Sequence, residues 1–149
     1  MSIRVLLADE SDMMRAAMRQ VLGVEPSIDI VSEARSFREA IQMVADIKPE
    51  VLLLDLFLPQ KGNFAPDFVR SQLRSVPHTL VLSLSNDTEA KALAAGYGAQ
   101  ALLDSRNLSG NMIPAILNCC VRGEVSKTST PPRPTFRTKS RSSRMLKKL

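Results

Sequence analysis

The 149-residue sequence predicts a doubly wound α/β fold, in which helices cover both faces of a parallel sheet. Short apolar runs alternate five times with segments of helical periodicity, which is the pattern of repeated βα units. The third run, residues 51–54, is continuously apolar, as expected for a strand that is buried on both faces. Two of the runs end in acidic residues, so carboxylates are expected at the carboxyl edge of the sheet.

The first two units follow this pattern closely. Strand 3–8 precedes a helix whose apolar residues recur every three or four positions between Met14 and Leu22. Strand 28–34 precedes a second helix, which Ser36 and Glu39 open as a capping box.

The remaining units continue the alternation to about residue 122. They are strand 51–54, helix 65–74, strand 79–83, a helix opened by Asn86 and Glu89 and reaching Ala94, strand 99–103 and a last helix. Pro114 predicts that the last helix begins near Asn111, because proline is tolerated in a first turn, and Gly123 predicts its end near Arg122. Right-handed crossovers then favour the flavodoxin-like strand order 2-1-3-4-5.

Charge divides the chain into two parts. Residues 126–149 hold eight of the twenty lysines and arginines and no acid, so the preceding residues hold twelve bases against fifteen acids. We expect a folded domain over residues 1–123 and a disordered basic tail, rich in Ser, Thr and Pro, over 124–149. The sequence shows no secretory signal and no apolar run that could span a membrane, which predicts a cytoplasmic protein.

Three carboxylates are the candidate site. Asp9 and Glu10 follow the first strand and Asp55 follows the third, so the sheet brings them into one crevice. Such a cluster is typical of a metal site, an acceptor site for a phosphoryl group, or both. A strand-end acid is weak evidence alone, whereas acids after strands one and three with Ser83 after strand four form a specific pattern.

The pattern as a whole is carried by Val5-Leu6-Leu7-Ala8-Asp9-Glu10, Leu52-Leu53-Leu54-Asp55 with Pro59, Val81-Leu82-Ser83 and Gly98-Ala99. Over residues 3–123 it resembles the receiver domain of two-component response regulators, most closely those that precede a LuxR-type DNA-binding domain. The roughly 25 residues that follow are too few for that DNA-binding domain, so a receiver without it is expected.

The resemblance implies a role for each candidate residue. Asp55 would accept a phosphoryl group from a histidine kinase, a phosphotransfer protein or a small phosphodonor. Asp9, Glu10, Asp55 and the backbone carbonyl of Phe57 would hold Mg²⁺, and the Ser83 hydroxyl would donate to a phosphoryl oxygen. The output would be a changed surface on the fourth helix, fifth strand and fifth helix, through which such domains form homodimers or meet partners.

Two positions depart from the family pattern. The family places a lysine seven residues after the glycine of its Gly-Ala pair, and here that position is Ser105, flanked by Asp104 and Arg106. The family's switch position, usually Tyr or Phe, is Leu102. These departures keep open a second interpretation, a pseudo-receiver that serves as a protein-interaction module without switching by phosphorylation.

Other enzyme classes lack their required residues. Haloacid-type phosphohydrolases need a second Asp two positions after the first, where this sequence has Phe57. There is no Walker A sequence, and the only histidine, His78, is expected in a loop at the far end of the sheet. We therefore expect a signalling component that turns over no substrate.

The basic tail carries a prediction of its own, weak and sequence-independent binding to nucleic acid. If all eight bases of residues 126–149 contacted phosphates, log K against log salt would fall with a slope near about -7 on duplex DNA. Deleting these residues should abolish the binding and leave Mg²⁺ affinity intact, as a filter-binding salt series can measure. Equal DNA binding by the deleted form would exclude the tail as its cause.

Overall fold

Five parallel strands form one sheet in the order β2-β1-β3-β4-β5 in the computed structural model, which describes residues 2–129. The strands are β1 (Ile3–Ala8), β2 (Ile28–Ala34), β3 (Val51–Asp55), β4 (His78–Ser83) and β5 (Ala101–Asp104). The helices are α1 (Asp12–Leu22), α2 (Phe37–Ile47), α3 (Leu58–Lys61), α4 (Pro66–Gln72), α5 (Thr88–Gly96) and α6 (Leu108–Ser129). The predicted fold class and strand order are confirmed.

The sheet is buried because its central strands are apolar on both faces. Leu52 and Leu54 of β3 belong to a buried cluster that includes residues of α2, α4 and α5. Since side chains alternate along a strand, Leu53 turns to the other face. The buried residues outside the cluster include Val5, Leu7, Met18, Leu22, Leu53, Leu80, Met112 and Ile116, which belong to β1, β3, β4, α1 and α6.

The register brings the ends of the strands to one edge of the sheet. The last paired residues are Ala8 with Leu54, Asp55 with Leu82, and Ser83 with Asp104. The residues that follow β1, β3, β4 and β5 therefore surround the same crevice, as the parallel topology requires.

The helical region after β3 differs from the prediction. A four-residue helix, α3, begins three residues after Asp55, and the helix predicted over 65–74 is α4. The fourth and fifth predicted helices are accordingly α5 and α6. Asp87 caps α5 by accepting a hydrogen bond from Ala90, so the expected opening at Asn86 is wrong by one residue.

His78 opens β4 instead of lying in the preceding loop, and its Nδ1 lies 2.8 Å from Gln100 Oε1.

Both predicted ends of the last helix are wrong. α6 begins at Leu108, so Pro114 lies inside it, where it cannot donate to the carbonyl of Gly110. It continues past Gly123 to Ser129, because a glycine inside a helix costs only about 1 kcal/mol and does not by itself end it.

The chain divides into two units, with the boundary after residue 117. The first unit contains the whole sheet, and residues 118–129 of the second are helical. The predicted boundary between residues 123 and 124 stays a prediction, and the tail from residue 130 lies outside the described residues. No helix within residues 2–129 has the length and hydropathy needed to cross a membrane.

Candidate functional site

A cavity of about 320 Å³ lies at the carboxyl edge of the sheet. Its lining contains the three predicted carboxylates and is completed by side chains from α1, α3 and the β4 and β5 ends. The lining residues are Asp9, Glu10, Ser11, Met14, Asp55, Phe57, Lys61, Leu82, Leu84 and Ser105. Carboxylates thus converge on one open pocket from two adjacent strands.

Asp9 is fixed by the turn between β1 and α1. Its carboxylate accepts a hydrogen bond from the backbone N–H of Ser11 at 2.8 Å, and Ser11 in turn caps α1. The buried guanidinium of Arg15 donates to the Asp9 backbone carbonyl at 2.5 Å and pairs with Glu33 of β2 at 3.0 Å. Asp9 itself is only 8% exposed, and burial raises its pKa.

Asp55 ends β3 and is half-buried. Burial, followed by the nearby Asp9 carboxylate, raises the pKa of Asp55 to about 6. The positive charge of Lys61 and the backbone N–H of Phe57 act in the opposite direction. The carboxyl group is therefore an ionisable nucleophile whose negative charge is incompletely compensated by the residues around it.

Glu10 is paired with a lysine that the sequence analysis did not single out. The ammonium group of Lys61, on α3, donates to the Glu10 carboxylate, and both side chains are more than half exposed. The backbone N–H of Lys61 also donates to the Phe57 carbonyl at 3.1 Å. That carbonyl has a second lone pair free for another ligand.

Ser83 is buried just behind the cavity and is absent from the described residues that line it. Its hydroxyl oxygen accepts a hydrogen bond from the Ser85 backbone N–H at 3.0 Å. A hydroxyl can accept and donate at the same time, so the Ser83 O–H retains its donor.

Ser105 occupies the family's lysine position and lines the cavity. Its backbone N–H donates to the Ser83 carbonyl at 3.0 Å, which continues the pairing of β4 and β5. The flanking charges neutralise each other, since Arg106 Nε lies 3.0 Å from Asp104 Oδ1. Leu102, at the family's switch position, packs against the buried core.

Tyr97 is the second functional candidate that the sequence analysis missed. It follows α5, is 1% exposed, and donates its hydroxyl to the Leu56 carbonyl at 3.0 Å. Burial and the Asp55 carboxylate raise the pKa of Tyr97 to about 12, so the phenol remains a donor. Its bond holds the peptide unit between Leu56 and Phe57, one residue beyond Asp55.

Known proteins with solved structures share this architecture. The signal receiver domain of NarL from Mycobacterium tuberculosis matches with a TM-score of 0.70 and 24% identity, covering 80% of this chain and 97% of that one. The response regulator domain of CheB from Thermotoga maritima matches with a TM-score of 0.68 and 20% identity, covering 80% and 96%. The chain has the fold of a response-regulator receiver domain. The resemblance predicted from the sequence is therefore confirmed.

Curated proteins of similar sequence include a response regulator and a methylesterase. A protein-glutamate methylesterase/protein-glutamine glutaminase from Cereibacter sphaeroides is 34% identical over 126 residues, covering 80% of this chain and 33% of the relative. Response regulator protein VraR from Staphylococcus saprophyticus is 30% identical over 104 residues, covering 68% and 50%. The chain thus spans between a third and a half of the length of these relatives. No protein-family model matches it.

The cavity of this receiver fold suits a hard divalent cation. Mg²⁺ prefers oxygen ligands and takes one or two protein carboxylates while keeping several waters. Asp9 and Asp55 offer such oxygens, and burial is the main cause that raises the pKa of both carboxyl groups, so their charged forms would gain from a bound cation. Glu10 and Phe57 line the same cavity, so the Glu10 carboxylate and the Phe57 carbonyl are further oxygen atoms available there.

Proposed function

We propose that this receiver fold accepts a phosphoryl group on Asp55 in the presence of Mg²⁺. The observation that carries the proposal is the half-buried Asp55 carboxyl, whose pKa is about 6, beside Asp9 at the floor of an open cavity. A carboxylate in this position can be reached by a phosphodonor and is deprotonated at neutral pH.

Mg²⁺ would be held by Asp9, Glu10, Asp55 and the Phe57 carbonyl. When bound, it would supply positive charge to the phosphoryl oxygens. A carboxylate oxygen of Asp55 forms the new bond to phosphorus. The bond between phosphorus and the donor atom breaks. The leaving group, acetate or the imidazole of a phosphohistidine, takes the electron pair of that bond. The Asp9 carboxylate, anchored by the turn that Arg15 braces, keeps the donor set in place during this exchange.

The transfer would be reported through Ser83. Its free O–H donor can bond a phosphoryl oxygen, and its other contacts reach the backbone of Ser85 and Ser105. These contacts connect the acceptor to the start of α5 and the end of β5. The changed surface would then lie on α5, β5 and residues 108–117 of α6, where a homodimer or an output partner would bind.

The partner that supplies the phosphoryl group would be a histidine kinase or a phosphotransfer protein. Some relatives are named as methylesterases or transcriptional activators, and the chain spans only part of each. We assign this chain the receiver role and no catalytic turnover.

Phosphoryl uptake tests the proposal directly. Wild-type protein incubated with radiolabelled acetyl phosphate and Mg²⁺ should incorporate acid-stable, base-labile label, and Asp55→Asn should incorporate none. Asp46→Asn, which removes an exposed carboxylate from α2, should label like the wild type. Labelling should also stop when EDTA removes Mg²⁺. Label retained in Asp55→Asn would show that another residue is the acceptor.

A pseudo-receiver is the second candidate, favoured by Ser105 and Leu102 at two positions where the family has switching residues. In that case the fold would serve as a docking module, and its surface would be the same with or without a phosphodonor. The labelling experiment separates the two functions, since a pseudo-receiver leaves Asp55 unmodified.

A further inference from the structure

The cavity contains a cationic side chain, Lys61, that comes from α3. In the family pattern the cationic side chain is a lysine after β5, at the position of Ser105. Ser105, at the end of β5, cannot carry a charge, and Arg106 is already bound to Asp104. Among the described residues that line the cavity, Lys61 is the only base.

Lys61 reaches the cavity from α3, six residues after Asp55. Its backbone is anchored to the Phe57 carbonyl at 3.1 Å, and its ammonium rests on the Glu10 carboxylate. Its charge also acts on both buried acids, because it lowers the pKa of Asp9 and of Asp55 against the effect of burial. The side chain is 56% exposed, so it has room to change partner.

We propose that Lys61 is the cationic partner of the phosphoryl group in this chain, a role that rests on the phosphoryl acceptance proposed above. Before metal binds, Glu10 holds the ammonium at the rim of the cavity. When Glu10 turns to Mg²⁺, the ammonium is released to the phosphoryl oxygens on Asp55. Lys61 is thus a positioning and charge-stabilising residue that substitutes in space for the lysine absent at Ser105.

This arrangement gives Lys61 two effects of opposite sign. Without a phosphoryl group, its ammonium competes with Mg²⁺ for the carboxylates and weakens metal binding. With a phosphoryl group present, the same charge stabilises the added negative oxygens. A residue that only maintained the local fold would weaken both states together.

Lys61→Met in the full chain tests these two effects, because it removes the charge and keeps most of the side-chain volume. The loss of an exposed ion pair should tighten Mg²⁺ binding by up to about fivefold, measured from backbone amide shifts without a phosphodonor. The loss of a charge-assisted bond should weaken beryllofluoride binding at saturating Mg²⁺ by about tenfold to a hundredfold, measured by ¹⁹F NMR.

Two further variants complete the design. Lys48→Met removes an exposed lysine at the end of α2 and should change neither affinity. The double variant Lys61→Met with Ser105→Lys should recover most of the beryllofluoride affinity, because it returns an ammonium to the cavity from β5.

The outcomes distinguish the inference from the function on which it rests. If Lys61→Met binds beryllofluoride as tightly as the wild type does, Lys61 is not the partner, while the proposed function stands. If both affinities fall together, Lys61 has only a structural role. If the wild type binds no beryllofluoride and takes up no label, the proposed function is wrong and this inference with it.

Discussion

Replacing Asp55 with Asn is expected to raise the free energy of unfolding of the metal-free protein by about 2 to 3 kcal/mol at pH 7.5. The reason is that burial and Asp9 raise the pKa of Asp55 from 3.8 to about 6, so keeping this carboxylate charged in the folded protein is unfavourable. Asparagine has the same shape and no charge. The carboxylate that the proposed chemistry needs therefore lowers the free energy of unfolding of the metal-free protein.

The sign of the pH dependence follows from the direction of the shift. Below pH 3.8 Asp55 is protonated in both the folded and the unfolded wild type, so its burial carries no charge. The stability that the protonated carboxyl contributes is lost as the pH rises through about 6. The stability gain of Asp55→Asn should therefore be absent below about pH 4, grow between about pH 4 and 6, and stay constant above.

Urea denaturation in EDTA at several pH values measures this gain. Asp46→Asn, on the exposed surface of α2, is the matched control and should show no such pH-dependent gain. Saturating Mg²⁺ should reduce the difference between wild type and Asp55→Asn, since a metal bound at the proposed site would stabilise the folded state and its Asp55 carboxylate. An Asp55→Asn protein less stable than the wild type at pH 7.5 would contradict the electrostatic account of the cluster.

Replacing Ser105 with Lys is expected to enlarge the conformational response to phosphorylation while leaving phosphoryl uptake similar. A charge-assisted hydrogen bond contributes about 1.5 to 3 kcal/mol. Moving a two-state element from 1:99 to 99:1 needs about 5.5 kcal/mol of differential stabilisation. A lysine at position 105, directly after β5, would thus add a large fraction of this stabilisation, next to the strand whose surface the proposed response would change.

We expect phosphorylation of the wild type to shift its conformational equilibrium only partly. In the proposed role, Lys61 would balance the charge of a phosphoryl group, but it lies on α3 and would leave β5 in place. Amide spectra of β5 and α5, recorded with and without beryllofluoride, should show larger changes in Ser105→Lys than in the wild type. Ser109→Lys, on an exposed position of α6, adds the same charge outside the cavity and should resemble the wild type. A wild type that already shifts completely would contradict this expectation.

The sequence was sufficient for the sheet and for the acids at its edge. A continuous apolar run such as residues 51–54 fits few structures other than a central parallel strand, and the parallel topology then places Asp55 beside Asp9. The resemblance added roles for Ser83 and Ser105, which no spacing argument provides.

Lys61 and Tyr97 escaped prediction for two physical reasons. α3 is a single turn without measurable periodicity, so the direction of Lys61 depends on how the chain leaves β3. Lys61 is nevertheless only six residues from Asp55 in the sequence, and this short spacing could have indicated a base near the candidate site. Tyr97 makes its contact across the fold with Leu56, 41 residues away, which no local pattern reveals. The ends of α6 were misplaced because Pro114 and Gly123 weaken a helix without necessarily ending it.

The hydrogen bond between Tyr97 and the Leu56 carbonyl gives this protein a built-in optical probe. Tyr97 is the only tyrosine in the chain, and the chain has no tryptophan, so tyrosine emission comes from this one ring. The ring is buried, and its hydroxyl donates to the Leu56 carbonyl, one residue beyond the proposed phosphoryl acceptor Asp55. A movement of that peptide unit would alter the quenching of the phenol. Metal binding and phosphorylation could then be followed in real time on the unlabelled, unmodified protein.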